Sequence, residues 1–157
     1  MEVRALTPQD ASFVASFIAE RWGSEVVVSR GRVHRPVELP GFVASEAGRT
    51  AGLATYRVDG DECELVTIDA DPPGRGAGSA LVAAVAAAAR DLGCRRLWLV
   101  TTNDNLRALR FYQRRGFELA ALHRGAVDEA RRLKPEISLV GFHGIPLRDE
   151  LELELQL

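Results

Sequence analysis

The sequence predicts a single α/β domain of the α+β kind, a mixed, mostly antiparallel sheet with helices on both of its faces. Three observations predict it. The 157 residues fall within the roughly 100–200 expected of one domain. Residues 41–70 hold three β-rich runs divided by turn signals, and residues 62–123 then read strand, glycine loop, helix, strand, helix, strand. Hydrophobic residues make up 46% and charged residues 27%, a globular composition that excludes a disordered or fibrous chain.

Residues 2–6 alternate as a short strand. Thr7 suits a helix cap and Pro8 a first helical turn, and Phe13, Phe17 and Ile18 recur at helical spacing, carrying the helix to about Trp22. Residues 24–40 hold no sustained period and carry Arg30, Arg32, His34 and Arg35, so they read as a partly irregular connection with a solvated run of charge. Strands follow at 41–46, 50–58 and 62–70, the last two joined by the hairpin signal Asp59-Gly60. After the glycines at 74, 76 and 78, residues 79–92 form a helix. Its apolar face is Leu81, Val85, Ala88, Ala89 and Leu92, and its many alanines allow close approach to a sheet.

Residues 96–101 are apolar on both faces and read as a buried strand. Asn103 or Asp104 is placed to cap a helix running through Arg115, on which Ala108, Phe111 and Tyr112 fall at i, i+3 and i+4, with Gly116 ending it. A strand covers 117–123. Residues 124–149 hold a short polar helix, a Lys134-Pro135 break and a glycine-rich stretch, and ELELEL then alternates as a last half-buried strand.

Charge and cysteine content exclude several functions. Twenty basic residues stand against 22 acidic ones, a net charge of −2, so no general positive field draws nucleic acid. Lys134 is the one lysine among 19 arginines, a bias that makes an individual arginine informative only where it is placed. Cys63 and Cys94 have neither disulfide-framework nor zinc spacing, which suits a reducing cytoplasm and no metal. The N-terminus has no signal-peptide pattern, and the apolar run 80–89 is too short to span a membrane.

The glycine loop is the strongest chemical signal. Glycines at alternate positions between a strand and a helix let backbone N–H groups converge, and the helix dipole adds positive potential, which makes a phosphate cradle. Arg75 adds a charged donor. A dinucleotide fingerprint fails because Ser79 or Leu81 stands where its third glycine belongs, and a P-loop fails for want of its lysine.

PGRGAGSALV at 73–82 resembles the Arg/Gln-x-x-Gly-x-Gly pattern of the GNAT superfamily of N-acetyltransferases. Pro73 departs from it, standing where the family usually has Arg or Gln, with Arg75 the candidate substitute. Asn105-x-x-Ala108-x-x-Phe111-Tyr112-x-x-x-Gly116-Phe117 resembles the family's second signature at its usual distance. The resemblance covers residues 41–123 well and 1–22 loosely. It implies the GNAT fold with a central splayed parallel strand pair, acetyl-CoA as donor, and a small-molecule or protein amine as acceptor. It leaves a homodimer open.

The resemblance also assigns roles. Pyrophosphate would meet Gly74, Arg75, Gly76, Ala77, Gly78 and Ser79. The pantetheine arm would pair with backbone groups of Val66, Ile68 and Ala70, and with Asn105, leaving Asn103 as a helix cap. An alkylamine near pKa 10.4 is almost wholly protonated at neutral pH, about six pK units from an ordinary carboxylate, so a base and desolvation are both required. Glu62 and Glu64 share a strand face and are both candidates: depth in the strand favours Glu64, and ungapped spacing favours Glu62. Asp69 lies on the other face and reads as structural or loop-capping.

Tyr112 matches the family's proton donor to the departing thiolate, a transfer uphill by about 1.5 pK units. Thr101 and Thr102 are candidate substrate contacts, and residues 124–149 sit where the family varies for substrate choice, which predicts a lid. The competing reading is a GNAT-like module that binds an acyl-CoA without turnover, which Pro73 favours. A nucleotide-binding regulatory domain is disfavoured by the failed motifs.

Overall fold

The computed structural model describes all 157 residues. The strands are β1 (Glu2–Ala5), β2 (Val27–Ser29), β3 (Arg32–His34), β4 (Gly41–Glu46), β5 (Arg49–Asp59), β6 (Glu62–Ala70), β7 (Arg96–Thr102), β8 (Glu118–His123) and β9 (Glu150–Gln156). The helices are α1 (Ala11–Trp22), α2 (Ala77–Asp91), α3 (Leu106–Gln113) and α4 (Ala126–Leu133). Seven strands form a mixed, mostly antiparallel sheet in the order β1-β4-β5-β6-β7-β9-β8, and β2 and β3 make a separate hairpin. None of the helices is long and apolar enough to cross a membrane. By contact the chain divides into two compact units, one of Met1–Val27, His34–Leu97 and Leu157, the other of Val28–Val33 and Trp98–Gln156.

In the first unit β1, β4, β5 and β6 pair antiparallel in succession. α1 buries Val14, Phe17 and Ile18 against Val27, Leu53 and Val66, with Leu6, Phe13 and Leu39 at the margin. α2 buries Ala77, Leu81, Val82, Val85, Ala86 and Ala89 against β4, β5 and β6. A Cβ on Gly52 would lie 3.0 Å from the Leu81 methyl, so glycine there lets the alanine-rich helix settle close to the sheet. Gly52 meets α2 while its neighbour Leu53 meets α1, and successive strand residues face opposite ways, so the two helices cover opposite faces. Each fully buried aliphatic side chain in these layers contributes about 1.5–3 kcal/mol relative to exposure.

The β5–β6 ladder contains the irregularity that matters most for the site. Thr55 pairs with Thr67 and the next residue, Tyr56, with Leu65, which leaves Val66 as an extra residue in β6. The buried Thr55 and Thr67 hydroxyls clasp at 2.6 Å beside this bulge. Such a bulge resets the inside–outside alternation and re-aims side chains on either side of it.

The second unit builds on the antiparallel β8–β9 pair. Leu99, Tyr112, Phe117, Val127, Ala130 and Leu153 are buried there.

Several expectations are corrected. Residues 24–40, read as a partly irregular connection, contain the β2–β3 hairpin and a 3-10 turn at Pro36–Glu38. Its turn places Arg30 at φ 50° and Gly31 at φ 71°, a left-handed pair made by Arg-Gly rather than the usual Asn-Gly, between strands too short to display a period. α2 starts at Ala77, two residues before the expected Ser79. β9 does not alternate cleanly: Glu150 and Leu153 are its buried residues.

Gly41 lies opposite Thr55 with its α-carbon pressed on the neighbouring strand, where a Cβ would overlap the Ala54 carbonyl oxygen and crowd the Leu6 side chain. Gly41→Ala is therefore expected to cost about 1–3 kcal/mol of stability through overpacking, read as a lower denaturant midpoint with unchanged slope. An unchanged midpoint would contradict this packing.

Candidate functional site

In the first unit β6 places Glu64 inside the protein, directly across from Arg57 of β5. The Glu64 side chain is 3% exposed, and its Oε2 lies 3.8 Å from His34 Nε2 and 3.9 Å from Arg57 Nε. Burial of a carboxylate disfavours its charge, and nearby cations oppose that effect. Arg57 Nε is itself buried without a hydrogen-bond partner, while another guanidinium nitrogen reaches Asp59 at 3.6 Å. His34 is 4% exposed and so is no part of a solvated run, which corrects the expectation for the 24–40 segment. Three-residue β3 ends on it.

Glu62 sits at the start of β6, half-buried, with its carboxylate accepting from Arg96 Nε at 2.9 Å and reached by Arg95 at 3.5 Å. The two candidate carboxylates thus differ sharply: Glu62 is held in surface ion pairs and Glu64 is enclosed. Between them, burial pushes the Cys63 thiol up to about 12, so it stays protonated at neutral pH and is a poor nucleophile. Asp69, expected on the opposite face, is brought by the bulge to the face of Glu64, and near the end of β6 its charge adds to the Asp71 hydrogen bond that raises the Arg21 guanidinium above its ordinary value.

β6 leads into the glycine loop. Gly74 at φ 84° and Gly76 at φ 90° flank Arg75, and Gly76 is the N-cap of α2. Alternating backbone signs of this kind turn successive N–H groups toward one concavity. The first N–H used within the helix is that of Ala80, donating to Gly76 O at 3.0 Å. A Cβ at Gly74 or Gly76 would meet nothing within 4 Å, so the space over the loop is open to a ligand that approaches the backbone closely. Arg75 is exposed and its Nε lies 3.3 Å from Glu46. This loop fits a pyrophosphate.

In the second unit the Asn105 Oδ1 accepts from Ala108 N at 3.1 Å and caps α3. The expectation that Asn103 or Asp104 caps this helix is corrected. Asn103 instead donates to the Pro146 carbonyl at 2.9 Å and accepts from Arg148 N and Asp149 N at 3.0 and 3.1 Å. Asp104 is buried, accepting from the Thr102 hydroxyl and from Phe142 N at 2.9 Å. Gly141 passes so close that any side chain there would overlap the Asp104 carboxylate. Arg131 of α4 donates to the carbonyls of Ile137, Ser138 and Leu147. These contacts tie the stretch from Ile137 to Asp149 to Asn103, Asp104 and Arg131.

Tyr112 is 6% exposed, edge-on to Phe111 and Phe117, and burial pushes its phenol well above the ordinary tyrosine value. It therefore keeps its proton across the neutral range.

The sequence model of the Acetyltransferase (GNAT) family matches residues 12–117 of this chain. The uncharacterized protein YdhI of Bacillus subtilis (strain 168) is 44% identical over 140 residues, covering 88% of this chain and 87% of that one. Among solved structures, the IAA acetyltransferase of Bacillus cereus ATCC 14579 superposes with a TM-score of 0.76 at 18% identity, over 99% of both chains. An acetyltransferase of Bacillus subtilis in complex with CoA has a TM-score of 0.69 at 19% identity, again over 99% of both chains. The seven-stranded mixed sheet is the fold of such acetyltransferases. The chain belongs to the GNAT acetyltransferase family.

Because Gly76 combines a left-handed backbone with open space above it, Gly76→Val should strain the loop by about 1–2 kcal/mol while obstructing its concavity. The folded variant is expected to lose stabilisation by acetyl-CoA in a thermal-shift measurement. Undiminished stabilisation would place the donor's pyrophosphate elsewhere.

Proposed function

We propose that this protein transfers the acetyl group of acetyl-CoA to an amine of a small molecule or protein, by direct attack in a ternary complex. The observation that carries this reading is one continuous segment, 62–79, in which a strand bearing an enclosed carboxylate runs into a backbone cradle for pyrophosphate at a helix N-terminus. Acetyl-CoA supplies an acyl group activated as a thioester. Backbone groups of residues 74–79 hold the pyrophosphate, and those of Val66, Ile68 and Ala70, with Asn105, align the pantetheine arm. The bulge at Val66 supports this assignment, since an extra strand residue is left out of the ladder there.

Glu64 accepts a proton from the acceptor ammonium, directly or through water, and the neutral nitrogen attacks the thioester carbonyl. Glu62, already paired with Arg95 and Arg96, is the weaker candidate for this role. The Tyr112 hydroxyl donates its proton to the departing thiolate. Burial makes this phenol a poorer acid than free tyrosine, but the same apolar surroundings disfavour a charged thiolate beside it and draw the proton toward sulfur. Direct attack is supported by the high thiol pKa of Cys63, which discourages an acetyl-cysteine intermediate. The free thiols Cys63 and Cys94 suit a reducing, cytoplasmic setting. Pro73, in place of the family's Arg or Gln, favours a second reading in which the chain binds an acyl-CoA without turnover.

Acetyl-CoA at 100 times its dissociation constant should stabilise the protein by about 2.7 kcal/mol, whereas ATP should stabilise it far less, the loop having no P-loop lysine. Equal stabilisation by the two would refute acetyl-CoA as the donor. Tyr112→Phe should leave acetyl-CoA affinity nearly intact and reduce turnover about 10²- to 10⁴-fold. Since burial raises the phenol, the loss of wild-type turnover caused by its ionisation is expected only above about pH 10, and the Phe variant should lack that limb. Full turnover in the variant would leave Tyr112 as a packing residue, and acetyl-CoA binding without turnover on any amine would favour the second reading.

A further inference from the structure

We propose that His34 and Glu64 act as one proton acceptor, in which the proton taken by the Glu64 carboxylate comes to rest on His34 Nε2. The proposal rests on Glu64 being the base and adds a second group to it. His34 reaches Glu64 from β3, a part of the chain remote in sequence from β6, and its side chain is 3% exposed with Nε2 3.8 Å from Glu64 Oε2. An exposed histidine would serve no such purpose; this one is enclosed beside the carboxylate that the reaction needs.

The chemistry favours a pair over a lone carboxylate. A glutamate with pKa about 4.3 is about six pK units short of an alkylamine near 10.4, whereas an imidazole near 6.5 is about four units short. In the first step an N–H bond of the acceptor ammonium breaks and an O–H bond forms on Glu64. In the second that O–H bond breaks and an N–H bond forms at His34 Nε2, leaving an imidazolium beside a carboxylate. The imidazolium releases its proton to water before the next turnover. The 3.8 Å gap exceeds a hydrogen bond, so the transfer requires the two groups to draw together or a water to bridge them.

The charged groups around the pair set the direction of its titration. Arg57 from β5 lies 3.9 Å from the same Glu64 oxygen, and Asp59, 3.6 Å from Arg57, offsets part of its charge. Next along the chain from His34, Arg35 and Glu38 form an exposed pair at 3.5 Å. Arg57 and burial disfavour the imidazolium, while the Glu64 carboxylate favours it, so removing that carboxylate must lower the His34 midpoint. The Arg57 guanidinium favours the carboxylate form of Glu64, which draws a proton taken up there on toward the imidazole.

The test uses the full chain, with wild type, His34→Gln and Glu64→Gln compared. NMR titration follows the imidazoles, and loss of one signal in H34Q assigns His34 among the three histidines. The His34 midpoint should fall by a unit or more in Glu64→Gln, and an unchanged midpoint would overturn the pair whatever the activity. With an amine that the wild type acetylates, turnover at saturating substrates from pH 5 to 9 should rise through a limb set by the pair. H34Q should lose that limb and turn over at least about tenfold more slowly above it, with acetyl-CoA affinity unchanged. An H34Q variant that keeps the limb would overturn the proposal. Absence of acetyl transfer by the wild type would instead overturn the proposed activity, leaving the titration to decide whether the pair exists.

Discussion

A carboxylate enclosed in a protein needs compensation, and the Glu64 carboxylate is the point around which the first unit is arranged. Leaving it ionised and alone would be strongly unfavourable, so the fold supplies a guanidinium from the opposite strand and an imidazole from a distant hairpin. Removing one partner of such an arrangement would leave an uncompensated buried charge. The bulge at Val66 belongs to the same design. By adding one residue between Leu65 and Thr67 it shifts the alternation of β6, so that Glu64, opposite Arg57, shares a face with Thr67 and Asp69.

The second unit solves a different problem. Twenty-six residues, 124–149, contain one two-turn helix and otherwise little regular structure, yet their backbone polar groups have to be satisfied. Asn103, Asp104 and Arg131 do this with side chains: the first two bind main-chain groups between Phe142 and Asp149, and Arg131 gathers three carbonyls. A connection that reads as variable is thereby anchored at both ends. Exposed Leu139, Val140 and Phe142 remain on its outer side.

What was legible in the sequence followed from strong local signals. The Asp59-Gly60 hairpin, the glycine loop before α2 and the helix carrying Phe111 and Tyr112 each combine a period with a turn or cap residue, and all three are present, with ends displaced by a residue or two. The β2–β3 hairpin was not legible because its strands have three residues each and its turn is Arg-Gly. His34 was read with the neighbouring arginines as a charge run, since nothing local says that one member of that run turns inward toward a residue 30 positions away. The cap of α3, expected at Asn103 or Asp104 and found at Asn105, was not legible for a similar reason. Either asparagine can cap a helix by its chemistry, and long-range partners at 146–149 decide which one does. For Glu62 and Glu64, depth in the strand and ungapped spacing point to different residues, and it is the three-dimensional packing that encloses Glu64 and pairs Glu62 with Arg95 and Arg96.

The proposed reaction is direct acetyl transfer from a thioester to an amine, without an acetylated protein on the way. Incubation with isotopically labelled acetyl-CoA and a panel of amines, with free CoA thiol, labelled acetamide and label on the protein quantified together, tests it most directly. The account predicts one thiol released per acetamide formed, with no label on Cys63, Cys94 or any other residue during turnover. Label that accumulates on the protein before product appears, and then passes to the amine, would contradict it.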